Sequence, residues 1–177
     1  MPELPEVEVV KQSLYKKIKF KKINRVLVRN RNLRFKVPEE FEFFLKDKII
    51  NNISRKSKYL IFHLNNKTFL IFHLGMSGTM HLVRKKNSIN TNLSFYGSSN
   101  LPKKHNHIIF FFNKYELVYN DPRRFGFIKI MKSKKKLEIF FNKFGPEPFN
   151  SKFNIDYIFN YLKKKKKTIK SFLLDQK

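Results

Sequence analysis

The chain has 177 residues, with 39 Lys and Arg against 13 Asp and Glu, a net charge of +26, 41% hydrophobic residues and no cysteine. This length allows one domain, or one and a fragment of a second, with enough apolar content for a core, and no apolar run reaches the ~20 residues of a membrane span. Disulfides and thiolate metal sites are excluded, and acids stand where a signal peptide would carry lysines, so a reducing cytoplasm is the expected home.

The positive charge, with a pI of 10.3, points to a polyanion, most simply nucleic acid. Part of that signal is compositional. The chain has no Ala, Trp or Cys and abounds in Lys, Asn, Ile and Phe, which is what an A+T-rich genome encodes. Its basic residues are 8 Arg and 31 Lys. Against such a background each retained Arg or Gly is more telling than any Lys.

In chain order, "MPELPEVEVV" comes first. Glu3, Glu6 and Glu8 suit the positive end of a helix dipole, Pro5 fits the first helical position, and Val7, Val10 and Leu14 mark an apolar face, so a helix is expected over residues 4–17. A second reading of this stretch is chemical. Initiator Met is ordinarily trimmed before a small residue, so the mature chain is expected to begin at Pro2. An α-amino group titrates near ~7.7–8.0, so part of it is neutral and nucleophilic at pH 7. A secondary amine condenses with a carbonyl only as a charged iminium, a strong electron sink. Glu3 beside it offers a carboxyl for proton transfer.

"INRVLVRN" and "KIINNIS" read as strands, with a short helix, "PEEFEFFLK", between them. "SRKSKYL" sets Arg55, Lys56 and Lys58 before an apolar strand; Lys58 is either a proton carrier near the terminus or one more solvated lysine. "KYLIFHL" and "TFLIFHL" flank Asn65-Asn66-Lys67 as a hairpin. His63 and His73 fall at equivalent places in these strands, where packing is the expected role. In "HLGMSGTM", Gly75 and Gly78 bracket Met76 and Ser77, a tight turn presenting a flexible apolar side chain. "GTMHLV" is expected to continue the same sheet. The polar stretch of residues 84–106 then reads as a long loop, of the functional or disordered kind.

"HIIFFFN" and "YELVYN" read as a second hairpin. His105 and His107 in "KKHNH" are expected to alternate on a strand, in phosphate contact or on a sheet surface. In "YNDPRRFGF", Asp121-Pro122 opens a turn that carries Arg123, Arg124 and Phe125. Paired arginine with an aromatic at a loop tip suits a wedge that pries a duplex apart, the guanidinium holding phosphate or an orphaned base while the ring fills the gap. A surface turn with a buried Phe fits the same residues. "FGFIKIMK" is a further strand; after "FGPEPF", "IDYIFNYLKKKKK" and "TIKSFLLDQK" read as helices, with Lys163 to Lys167 as a basic face for non-specific phosphate contact. The expected fold class is α+β, an antiparallel β-sandwich with flanking helices.

"PELPEVE", "KYL", "HLGMSG", "KHNH", "DPRRFG", "GPEP" and "IKSFLLDQK" occur in this order at suitable spacing. Together they resemble formamidopyrimidine-DNA glycosylase, the bacterial oxidised-purine repair enzyme, along the chain from Pro2 to Lys177. The resemblance implies an N-terminal catalytic β-sandwich domain over residues 1–131. A linker and the first helices of a helix–two-turn–helix domain would follow over residues 132–177. It implies that the Pro2 amine attacks C1′ of the damaged nucleotide, that Glu3 helps open the deoxyribose ring, and that Lys58 moves protons during elimination. Met76, Arg123 and Phe125 match the family's lesion wedge; His105, Arg123 and Lys165 match its DNA contacts. The implied function is removal of 8-oxoguanine and formamidopyrimidines, with strand cleavage by β- and δ-elimination.

The implied partner is damaged double-stranded DNA, bound by a monomer without a membrane. The family holds one zinc in a C-terminal four-cysteine finger. This chain encodes no ligand for it, and "LLDQK" falls inside the first of the helices that precede that finger. The expectation is therefore of a chain short of the family's length, with a separately encoded C-terminal portion as an open partner. Two functions stay open: the glycosylase/lyase, or a catalytically impaired basic DNA-binding remnant of it.

Overall fold

A computed structural model describes residues 2–84, 91–92, 103–163, 165–166 and 168–174. It divides into two compact units, residues 1–134 and 135–177.

The first unit opens with helix α1 (Leu4–Ile18), which buries Val7, Val10, Leu14 and Ile18 along one stripe. Glu3 is its N-cap, so Pro5 sits at the second helical position, one later than expected, and the Glu3 N–H donates to Glu6 Oε2 at 3.0 Å. After β1 (Arg25–Val28) and the short helix α2 (Phe41–Leu45), the strands are β2 (Ile50–Lys56), β3 (Tyr59–Leu64), β4 (Phe69–His73), β5 (Thr79–Arg84), β6 (Thr91–Asn92), β7 (Asn106–Phe111), β8 (Tyr115–Asn120) and β9 (Phe127–Met131). They form two antiparallel sheets, one ordered β1-β7-β8-β5-β6 and the other β2-β3-β4-β9. The inner faces share one core, in which Phe62 and Phe72 of one sheet meet Phe110 of the other, the Phe72 and Phe110 rings 5.9 Å apart. The expected α+β sandwich is the observed fold.

Several local expectations are corrected. The "GMSG" turn does not continue the sheet of β4: it carries the chain across the sandwich, since β5 pairs with β8. The chain returns after the Asp121 turn, where β9 pairs with β4. Both crossings therefore occur at one end of the sandwich, and periodicity cannot report this because each strand's pattern is the same in either sheet. His63 and His73 are far apart along their hairpin, opposite Phe69 and Tyr59 respectively. His105 lies in a 3-10 turn (Lys103–His105) ahead of β7, and His107 on that strand is buried. Most of the 84–106 stretch lies outside the described residues.

The second unit holds three helices. α3 (Lys134–Phe141) was not expected, because its lysine-rich start hides the apolar spacing of Leu137, Phe140 and Phe141. α4 (Ile155–Leu162) is capped by Asn154, whose Oδ1 accepts the Tyr157 N–H at 2.9 Å. α5 (Ile169–Leu174) buries Phe172, which meets Tyr161 of α4 at 5.0 Å between ring centroids. The last three residues of "IKSFLLDQK", with Lys164 and Lys167 of the lysine run, lie outside the described residues.

Candidate active site and nucleic-acid interface

α1 packs on β2 and β3, which brings the chain's start to the β2–β3 turn. There the Lys58 ammonium forms an ion pair with Glu3 Oε2. Lys58 is 9% exposed and Pro2 is half-buried beside Glu3. Residues 56 and 59 are paired, so Ser57 and Lys58 form a two-residue turn, with Ser57 in the left-handed region at φ 51°.

A brace holds that turn. Arg55 NH1 donates to the Ser57 carbonyl at 2.9 Å, and its Nε donates to Glu8 Oε2 on α1, also at 2.9 Å. Partial burial pushes the Glu8 carboxyl up, but hydrogen bonds from Lys11, Arg55 and Gln12 outweigh it and bring its pKa down to about 2. The sequence marked Glu8 only as a dipole partner; its link to Arg55 spans 47 positions and has no local signal.

The wedge candidates also come together. Gly75, Met76, Arg123 and Phe125 line one cleft of about 780 Å³, with Asn32, Leu33, Arg34, His73 and Arg124 completing it. Among the described residues no acidic side chain lines it, while three arginines do. Met76 is 46% and Phe125 45% exposed, so Phe125 is not the buried ring of a plain turn. The Arg123 guanidinium lies 4.6 Å from the Phe125 ring centroid.

Beneath these side chains Asp121 is fully buried and joins the two loops. Its Oδ1 accepts from Ser77 Oγ at 2.5 Å; its Oδ2 accepts from Gly126 N–H at 2.8 Å and Tyr119 O–H at 3.1 Å. Ser77 Oγ in turn accepts the Arg123 N–H at 3.1 Å. Burial, then the adjacent Asp121 charge and hydrogen bond, push the Tyr119 phenol well above its usual range. The loops meet backbone to backbone. Gly75 has φ +64°, and a Cβ there would lie 2.4 Å from Gly126 N; a Cβ on Gly126 would lie 2.0 Å from the Tyr119 oxygen. Only glycine permits that approach.

His105 reaches the base of the same loop, its carbonyl accepting the Asp121 N–H at 3.1 Å. His107 Nε2 donates to the Asp121 carbonyl at 2.7 Å, which makes His107 a support for the loop. His73, expected to pack, lines the cleft. Its ring stacks on Phe127, and its Nδ1 accepts the Gly75 N–H at 3.1 Å. Burial, followed by the charges of Arg34 and Lys58, lowers its pKa to about 4, so the ring stays neutral and keeps that acceptor. Lys58 is adjacent in sequence to Tyr59, whose register partner is His73; the amine corner and the cleft thus share one sheet end. Lys165 belongs to the second unit, where its ammonium lies 3.3 Å from the Tyr161 ring centroid. Arg34 was passed over by the sequence reading, although a retained Arg in a lysine-rich chain was a usable signal.

Comparison with known proteins fits this geometry. A family model, the formamidopyrimidine-DNA glycosylase N-terminal domain, matches residues 1–128. The chain belongs to that family. It is 41% identical to a formamidopyrimidine-DNA glycosylase of Wolbachia sp. subsp. Brugia malayi, covering 100% of this chain and 60% of that one. Against the enzyme of the same name from Psychromonas ingrahamii it is 37% identical with the same coverage. A crystal structure of Lactococcus lactis Fpg with an abasic site containing DNA superposes with a TM-score of 0.83 at 32% identity, over 99% of this chain and 61% of that chain. The chain thus spans about 60% of the length of the curated relatives it matches.

With no cysteine anywhere in the chain, a four-cysteine zinc finger has no ligands in it. Among the described residues no cluster of His, Asp and Glu is suited to a metal ion, and no helix is long and apolar enough to cross a membrane.

Proposed function

We propose that this chain is the catalytic portion of a base-excision DNA glycosylase with AP-lyase chemistry, acting on oxidised purines such as 8-oxoguanine and formamidopyrimidines in double-stranded DNA. The observation that carries the reading is the Glu3–Lys58 ion pair beside Pro2, at the same sheet end as an arginine-lined cleft with an exposed Met and Phe.

Once Met1 is removed, the Pro2 nitrogen uses its lone pair to attack C1′, and the glycosidic bond breaks with its electrons leaving on the base. Glu3, taking a proton from the Lys58 ammonium, delivers it to the ring oxygen as the C1′–O4′ bond opens, and loss of the proline N–H proton gives the iminium. That cation acidifies C2′. Lys58, left neutral by passing its proton to Glu3, accepts the C2′ proton, and the 3′ phosphate departs with the C3′–O bond electrons; δ-elimination repeats the logic at the 5′ side. Met76, Arg123 and Phe125 fill the space left by the extruded nucleotide. His105 and Lys165 contact phosphates, as does Arg34 from the cleft wall.

Borohydride trapping on abasic DNA tests this. A covalent adduct that maps to Pro2 supports the assignment; an adduct on Lys58 or another lysine refutes it. A second reading, a basic DNA-binding domain without catalysis, is favoured by the net charge of +26. Salt-sensitive binding with no adduct on a chain whose terminus is confirmed as Pro2 would establish it. Base excision needs a closed pocket to hold the flipped nucleotide, whereas an abasic aldehyde is already available. The expected profile is therefore trapping at low salt with little release of 8-oxoguanine from duplex. Adding the remaining portion of a relative, fused or in trans, restores excision.

A further inference from the structure

Two arginines in one loop have opposite surroundings. Arg31 is fully engaged: Nε meets Glu39 at 2.9 Å, NH2 meets both Glu42 oxygens at 2.8 Å, and NH1 donates to the Pro38 carbonyl at 2.6 Å. Arg34 is exposed and meets no carboxylate among the described residues. Its backbone N–H is tied to the Gly126 carbonyl at 3.2 Å, and its side chain lines the cleft.

Beside it Phe35 is 51% exposed. The Arg34 guanidinium carbon lies 5.9 Å from the Phe35 ring centroid, and the Lys129 ammonium lies 5.8 Å from it. Lys129, exposed on β9, also meets no carboxylate among the described residues. Both distances are at the outer limit of a cation–π contact, about 6 Å, so neither cation is committed to the ring. Behind Phe35 stands Phe127, edge-on at 5.0 Å and 73°, which in turn stacks on His73 at 5.5 Å and 14°. A single exposed Phe is ordinary. This one is seated against a buried aromatic and flanked by two uncommitted cations, one of which also lines the cleft.

We propose that Arg34, Phe35 and Lys129 form a station for single-stranded DNA, where an unpaired base stacks on Phe35 and the flanking phosphates meet Arg34 and Lys129. The proposal rests on reading the adjoining cleft as a DNA site. A stack needs an uncovered base face, which duplex does not offer; base–aromatic stacking with cations along the backbone is how single strands are held without sequence preference. An apolar protein partner would gain the ring but would have to cover two cations lacking counter-charges. Phe35 and Lys129 stand outside the cleft that Arg34 lines, so the station serves a strand running along the wall rather than the nucleotide inside.

The test uses the whole 177-residue chain and fluorescence anisotropy with two probes, a lesion-free oligothymidylate and an abasic duplex, over a range of salt. Phe35→Ala is expected to weaken oligothymidylate binding about tenfold with the salt dependence unchanged. Phe35→Trp retains wild-type affinity, and Arg34→Gln lowers the salt slope by about 0.7, one phosphate's worth on a single strand. Urea midpoints accompany each variant. If Phe35→Ala binds oligothymidylate as the wild type does, or if Phe35→Trp is equally weak at an unchanged midpoint, the station is overturned while the cleft reading stands. Wild-type protein that binds neither probe overturns both.

Discussion

At the corner of Pro2, Glu3 and Lys58, side chains are held by ion pairs between distant segments, Glu3 to Lys58 and Glu8 to Arg55. At the loops carrying Met76, Arg123 and Phe125, the holding groups are a buried Asp121 and two glycines that let backbones touch. On the proposed function, the contrast matches what each region would be asked to do. Proton carriers must exchange partners during a reaction, which an ion pair between a buried and a partly exposed group permits. A wedge would bear a mechanical load, and buried hydrogen bonds with no room for a methyl group resist deformation better than exchangeable ion pairs do.

The sharpest way to break the comparison is to disable one region and read the other. Blocking the terminus with an uncleaved N-terminal tag is expected to abolish borohydride trapping entirely while leaving the urea midpoint and duplex binding intact. Persistent trapping would move the nucleophile away from Pro2.

Next in size is Asp121→Asn. A neutral amide cannot accept from Ser77, Gly126 and Tyr119 together, so a loss of about 3 kcal/mol is expected in urea unfolding. Trapping should fall steeply on duplex abasic DNA and much less on a single-stranded abasic oligonucleotide, where no wedge is needed. Equal losses on both substrates would show that Asp121 supports the amine corner as well.

A smaller effect is expected from Phe125→Ala. The ring is half-exposed, so stability should change by less than about 1 kcal/mol, yet duplex trapping should drop roughly tenfold because opening a duplex costs a few kcal/mol. The same loss on single-stranded substrate would make Phe125 a packing residue.

The smallest effects are in pH, and they separate the regions by window. His73 is held neutral in the fold, at about 4 against an ordinary 6.5. The unfolded chain therefore takes up the proton first, and stability contributed by His73 is lost as pH falls from about 6.5 towards 4. Glu8 is lowered from 4.5 to about 2; its contribution is complete above 4.5 and lost as pH falls from 4.5 towards 2. His73→Gln should lessen the slope in the first window, to which His63 and His81, also lowered by burial, contribute as well, and Glu8→Gln should lessen the slope in the second, in urea midpoints measured across pH.

Much of this protein was legible in one dimension. Where an element's own pattern carries the information, the reading held: α1 from Val7, Val10 and Leu14, the β3–β4 hairpin from two near-identical apolar runs, and a helix in "IDYIFNYLKKKKK", which ends at Leu162 before the lysines. The ordered motifs singled out Pro2, Glu3, Lys58, Met76, Arg123 and Phe125, and the fold brings the first three to one corner and the other three to one cleft. Tertiary structure alone decided what depends on contacts across the fold. It moved β5 into the opposite sheet from β4, because alternation in a strand specifies which face is buried but not which neighbour it pairs with. It turned Asp121 from a turn residue into the buried junction of two loops, took His73 out of plain packing into the cleft wall, and joined Glu8 to Arg55. Those pairings arise because long-range hydrogen bonds and ion pairs are fixed by where the chain's segments meet, and no local pattern of residues encodes the meeting point.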